Sequence, residues 1–402
     1  MFFYIKTRGI VMNRLDSISF GKIVQIREQL LKLQATGKKV YRLESGDPSF
    51  SIAPHITAAI EKALHDGKTH YIPNNGIPEL LKALSQKLYN QNKIKVTEND
   101  IFVTNGAMHA LYVVFQCMLE QGDEVIVPEP LWTEIGENIR LAGGVTVSVP
   151  LTRQNNYQYS YEDIVKKITS RTKAIFVNSP QNPSGAIVPK EELQRIANLA
   201  AERGLWLVCD EAYEDLVYEG EHYSPASGLE GYDKAISLYS FSKSHAMSGL
   251  RVGYIVTTNK SLKERIPKLL RCTVNGINSI AQWGALAAVT GPRDHLNYML
   301  SEYRIRREII FNAASEIPGI IPFKPQGAFY LWCEVEPQLL QKLQIKSVSQ
   351  LSDFLAERGI GSAPGDSFGI SCANAIRFAF SCSTQQVTEG SKALKEILMQ
   401  DK

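Results

Sequence analysis

Between about residues 100 and 260, short apolar runs rich in Val and Ile alternate with stretches of helical period, and this alternation limits what the chain can fold into. The runs are Ile101–Thr104, Glu124–Val127, Val145–Val149, Lys173–Asn178, Leu205–Cys209, Ala235–Tyr239 and Tyr254–Thr257. Several are continuously apolar, as strands covered on both faces are. Helical patterns such as Ala107–Leu119 and Lys190–Arg203 lie between them, the second stopped by Gly204. Strand-helix-strand repetition requires crossovers, so the pattern predicts a mostly parallel, doubly wound seven-stranded sheet between helices.

After Gly291 the pattern changes to a long helical stretch (Asp294–Glu316), strand-like runs at Phe329–Val335 and Ala375–Ser381, and helices near Val348–Arg358 and Thr384–Met399. This reads as a smaller α+β unit, against which the N-terminal helical pattern Ile23–Leu33 is expected to pack. The expected division is a large α/β domain over residues 55–295 and a small α+β domain made of 1–54 and 296–402.

Composition removes some function classes. The 402 residues carry 44 Lys+Arg and 41 Asp+Glu, a net charge of +3, which points to neither nucleic acid nor a membrane surface. The six cysteines are scattered without a Cys-x-x-Cys pair, against a metal site or a disulfide framework and for a reducing compartment. No window reaches the ~18 apolar residues needed to span a bilayer. The start, Met1 to Met12, has an apolar patch (Phe2, Phe3, Tyr4, Ile5) broken by Lys6 and Arg8, too short for a secretory signal. A cytoplasmic location is expected.

In an open parallel sheet, ligands bind beyond the carboxyl ends of the strands. The first run leads into Thr104-Asn105-Gly106-Ala107-Met108-His109. That is either a plain turn or a helix start whose free N–H groups and positive dipole end suit a phosphate. Trp132, after the second run, either packs or stacks on a planar ligand. Asn182, in the turn Ser179-Pro180-Gln181-Asn182-Pro183-Ser184-Gly185, is loop chemistry or an amide donor held stiffly by Pro183. Asp210 caps a helix or meets a cation, because a buried carboxylate is costly alone. Lys243, just past the run Ala235–Tyr239, sits among Ser240, Ser242, Ser244 and Ser248, with Arg251 eight residues on. Lysine prefers a solvated face; here its amine is placed to react with a carbonyl.

The segment Ser240–Gly253 resembles the lysine signature of class I/II pyridoxal-phosphate aminotransferases. Other segments follow in that family's order: Leu43-Glu44-Ser45-Gly46-Asp47-Pro48, His70-Tyr71, Asn105-Gly106-Ala107-Met108, Pro130-Leu131-Trp132, Asn182-Pro183-Ser184-Gly185, Asp210-Glu211-Ala212-Tyr213 and Asn374-Ala375-Ile376-Arg377. The resemblance implies fold type I and a homodimer with shared active sites. It also implies roles. Lys243 would carry the cofactor as a Schiff base and then serve as general base and acid. Asp210 would pair with the ring nitrogen. Tyr213 and Asn182 would donate to the ring oxygen, and Trp132 would stack on the ring. Gly106, Ala107 and Met108, with Ser240, Ser242 and Arg251, would hold the phosphate. Tyr71 would reach the neighbouring subunit's phosphate. Arg377 would fork the substrate carboxylate, helped by Gly46, Asn182 and Trp132.

The activity so implied is ping-pong amino transfer from an L-amino acid, with aspartate or glutamate first in line, to a 2-oxo acid such as 2-oxoglutarate. Met108 and Ile23 are apolar where acid-specific branches place a lysine and a small hydroxyl, and Leu250 replaces a tryptophan. Arg271 lies near where other branches supply an arginine from the partner. Aromatic or other donors therefore stay open, as does a lyase of the same fold. A transcription regulator would need an N-terminal DNA-binding domain, and only some forty residues precede Gly46, without a basic cluster. A nucleotide-binding Rossmann enzyme would show Gly-x-Gly-x-x-Gly after the first strand, which is absent.

Overall fold

The computed structural model describes residues 20–400 and, ahead of them, residues 6–7, 10–11 and 14–18. The apolar patch Phe2–Ile5, with Arg8 and Met12, lies outside the described residues. The strands of the large sheet are β1 (Ile101–Thr104), β2 (Glu124–Glu129), β3 (Val145–Pro150), β4 (Thr172–Asn178), β5 (Trp206–Asp210), β6 (Ala235–Ser240) and β7 (Gly253–Thr257). They lie side by side in the order β1-β7-β6-β5-β4-β2-β3. Only β7 runs against its neighbours, pairing antiparallel with β1 and β6; the other pairs are parallel. The chain is therefore a fold type I architecture, with helices on both faces of this sheet.

Alternate residues of each strand serve opposite faces. Val125 and Val127 join Phe176, Val208 and Ile255 against helix α2 (Gly106–Met118) and helix α3 (Thr133–Leu141). Ile126, Ile175, Val177, Leu207 and Cys209 face the opposite way, onto Leu193, Ile196 and Ala200 of helix α4 (Lys190–Arg203). Burial on both faces explains why these strands are continuously apolar. The outer strand β3 is the exception, with Val145 half exposed.

A second, antiparallel sheet holds β8 (Ile320–Phe323), β9 (Tyr330–Val335), β10 (Ala363–Pro364) and β11 (Ala375–Ala379), in the order β8-β9-β11-β10. The long helix Asp294–Ser315 and the helix Thr384–Met399 contribute to its core. Helix α1 (Lys22–Ala35) packs Ile26 and Leu30 with Val40 and Ala356, and Lys22 pairs with Asp353 at 2.7 Å. This places α1 over the C-terminal part of the chain, at one wall of the site described next.

Candidate active site

Lys243 sits on a single helical turn, Phe241–Ser244, that follows β6 directly. The turn starts because Ser240 Oγ accepts from the Ser242 N–H at 3.2 Å. The Lys243 ammonium donates to the Gly46 carbonyl at 2.5 Å. Burial lowers its pKa to about 8; Arg251 and Arg377 push the same way, and Asp47 and Asp210 oppose them. On the neighbouring strand, Asp210 ends β5 fully buried. Its Oδ1 accepts from the Ala212 N–H at 3.1 Å. Burial lifts this carboxyl to about 6, and Glu211 adds to the shift. Among the described residues no cationic side chain forms an ion pair with Asp210.

Tyr213 shares a hydrogen bond of 2.8 Å with the hydroxyl of Tyr330, their rings edge to face. Burial holds the Tyr213 hydroxyl well above its ordinary pKa, so it stays a donor at neutral pH. Asn182 donates its backbone N–H to Asn178 Oδ1 at 2.9 Å and accepts from Arg377 Nη1 at 3.0 Å. Arg377 lies on β11, a strand paired on both sides, so it is not an edge residue. It is 3% exposed, donates Nη2 to the Glu44 carbonyl at 2.9 Å, and lies over the Tyr330 and Phe368 rings at 4.4 and 5.0 Å. Its Nε is buried without a partner among the described residues. A buried guanidinium with spare donors calls for an anion.

At the other end, α2 opens at Gly106 with no side-chain cap, leaving backbone N–H groups free. Gly106 has φ +80°, and a Cβ there would stand 2.5 Å from Arg251 Nη2. Glycine thus lets Arg251 approach the helix start. Arg251 Nη1 donates to the Ser248 carbonyl at 2.7 Å and to Ser242 Oγ at 3.4 Å.

These groups surround one cavity of about 440 Å³. Gly46, Ala107, Met108, Trp132, Asn182, Asp210, Tyr213, Ser240, Ser242, Lys243, Arg251 and Arg377 all line it. Gly106 stands just behind Arg251. Tyr71 lies elsewhere: it is 91% exposed and lines a separate surface cavity with His70 and Asn275. Arg271 is exposed on the helix Lys260–Thr273 and does not line the central cavity. Sequence reasoning missed Tyr330, Glu134, Asp47, Arg27, Arg42 and Glu44, which do. Tyr330 was within reach, since it stands in a run already read as a strand, and Glu44 and Asp47 flank Gly46 in a motif that carries the family resemblance; nothing local marks Glu134, Arg27 or Arg42.

The donor set fits pyridoxal phosphate. An unpaired buried carboxyl at Asp210 suits a cationic ring nitrogen, an amine of lowered pKa at Lys243 suits an aldehyde, and the uncapped helix start with Arg251 suits a phosphate.

Comparison with known proteins agrees. A family model described as aminotransferase class I and II matches residues 38–394. A probable aspartate/prephenate aminotransferase of Aquifex aeolicus is 36% identical over 391 residues, covering 96% of this chain and 98% of that protein. The solved aspartate aminotransferase of Thermus thermophilus with maleate superposes with a TM-score of 0.90 at 32% identity, covering 97% of this chain and all of that one. An alanine aminotransferase from Pyrococcus furiosus also reaches 0.90 at 32% identity, covering 97% and 99%.

Proposed function

The chain belongs to the class I and II aminotransferases, pyridoxal-phosphate enzymes, and from that premise we propose that it moves an amino group between an amino acid and a 2-oxo acid in two half-reactions within the Lys243 cavity. One observation carries the reading: a lysine on the turn that follows β6 and an unpaired carboxyl that ends the adjacent parallel strand β5 line the same cavity as a buried arginine with a free donor. When bound, the cofactor supplies an aldehyde for the amine and an electron-withdrawing ring. Asp210 would hold the ring nitrogen protonated, since a nearby anion favours the charged form. Lys243 Nζ, with a substantial neutral fraction near pH 8, would take the proton from the substrate Cα and return it. Arg377 would fork the α-carboxylate, with the Asn182 amide and the Gly46 loop beside it. Tyr330 would position the Tyr213 hydroxyl.

Aspartate is the first donor on this reading, as the names of the relatives suggest, with glutamate beside it and 2-oxoglutarate as acceptor. A non-acidic second substrate is favoured by apolar Ile23 and Met108 on the cavity wall. Arg271, exposed on its own chain, would read a second carboxylate only across a homodimer, the same assembly that would bring Tyr71 to a neighbour's phosphate. Mixing the holoenzyme with aspartate alone tests the proposal: the cofactor absorbance should convert to the amine form stoichiometrically and return on adding 2-oxoglutarate. Release of ammonia without that conversion would favour a lyase.

A further inference from the structure

The cavity wall holds an acid that the proposed reaction does not use. Glu134 lies in the first turn of α3, two residues after Trp132, and lines the cavity with Met108, Leu111 and Ile135. Its Oε2 is buried and has no hydrogen-bond partner among the described residues. Its backbone carbonyl accepts from Asn138 Nδ2 at 2.7 Å, and the same amide touches Met108 Sδ at 3.4 Å. Glu134 is thereby tied to the Met108 side of the cavity. An unpaired buried carboxyl oxygen is costly unless a donor arrives; among the described residues only Glu134's own backbone N–H bonds this carboxyl, and none reaches Oε2.

We propose that Glu134 is a specificity-determining residue, its carboxyl receiving the N–H-bearing end of the non-acidic side chain admitted in one half-reaction and weakening, without excluding, the binding of a second carboxylate in the other. The inference rests on the two-half-reaction reading above, in which one cavity must admit two different side chains. The charged groups around Glu134 are consistent with this role. Arg377 lies within electrostatic reach but forms no ion pair with it, and its donors go to Asn182 and Glu44. Glu137, one turn on, repels it. Arg27 and the Arg42–Glu44 pair line the same cavity, with Arg42 Nε held by Glu44 at 2.5 Å. Burial raises the Glu134 pKa, so a carboxylate substrate is repelled more as pH rises through its ionisation.

The test compares glutamine with its near-isostere glutamate, and ornithine with norvaline, as donors to the wild-type, Glu134→Gln and Glu134→Leu holoenzymes. Glu134→Leu should lose tenfold or more in kcat/KM for glutamine and ornithine, about the value of a hydrogen bond to a charged group. Glu134→Gln should gain about tenfold for glutamate by removing like-charge repulsion, and norvaline should stay within about twofold throughout. In wild type the glutamate-to-glutamine ratio should fall as pH rises, and this slope should vanish in Glu134→Gln. If all four donors shift by one common factor, or if the glutamine-to-glutamate ratio is unchanged, the Glu134 assignment is overturned while amino transfer stands. If the wild-type holoenzyme converts its cofactor with aspartate but with none of the four donors, the Glu134 assignment falls while amino transfer stands; if it converts with neither aspartate nor any of the four, the transfer reading fails and this inference falls with it.

Discussion

Lys243 and Asp210 are both held away from their ordinary titration ranges by burial, the amine down to about 8 and the carboxyl up to about 6. Each shift is also a statement about stability. The Lys243 amine titrates lower in the folded chain than in the unfolded one. Its destabilisation is therefore full below pH 8 and fades as pH rises toward 10.5, the ordinary value of a lysine. The Asp210 carboxyl titrates higher when folded, so its destabilisation is full above pH 6 and fades as pH falls toward 3.8. Both act at neutral pH when the cofactor is stripped. Lys243→Met and Asp210→Asn should then each stabilise the cofactor-free protein at pH 7, by on the order of 1 kcal/mol, while abolishing transfer. Thermal unfolding checks this, and a lowered Tm in both variants would sink it. Arg377→Lys keeps the charge but loses the planar fork, leaving Asn182 Oδ1 or the Glu44 carbonyl without its donor. Its kcat/KM should fall at least tenfold for every amino acid donor, on the order expected for a lost charge-assisted bond.

At the scale of elements, β7 running against its neighbours brings the Gly253–Thr257 strand beside the start of α2, where a Cβ on Gly253 would meet the Ala107 nitrogen at 2.7 Å. The uncapped helix start, Arg251 and the Ser240–Ser242 turn converge there because three separate strand ends do. Gly106→Ala would place a methyl group against Arg251 and force a positive φ on alanine. We expect its pyridoxal phosphate Kd to rise about tenfold, from strain of ~1–2 kcal/mol, with far-UV dichroism unchanged; cofactor titration by absorbance measures it. The same scale shows which elements were legible. β1 and the helices Lys190–Arg203 and Thr384–Met399 match the sequence reading residue for residue, and most other boundaries move by one or two. β8 and β10 escaped because each contains a proline and one is only two residues long. The helix Lys260–Thr273 carries Pro267 inside it, which hides its period.

For the whole molecule, the cavity is made where the large sheet's carboxyl ends meet α1, the Gly46 loop and β11. A ligand held there contacts segments from both sheets, so cofactor binding should stabilise the fold as a unit. Removing pyridoxal phosphate should lower Tm by several degrees, in line with ~2.7 kcal/mol of linkage at a hundredfold excess over Kd. Differential scanning calorimetry of both forms would show it, and coincident transitions would contradict it. The sequence by itself determined the layered α/β plan and the identity of Lys243, Asp210 and Asn182 as candidates, because hydrophobic period and strand-end position are local properties; Arg377, inside its strand, entered only through the family resemblance. Only the tertiary structure decided that Tyr330, Glu134, Arg27 and Arg42 face the same space, and that Tyr71 and Arg271 do not. Those placements depend on how distant segments pack, and no local pattern along the chain encodes which side chains that packing brings together.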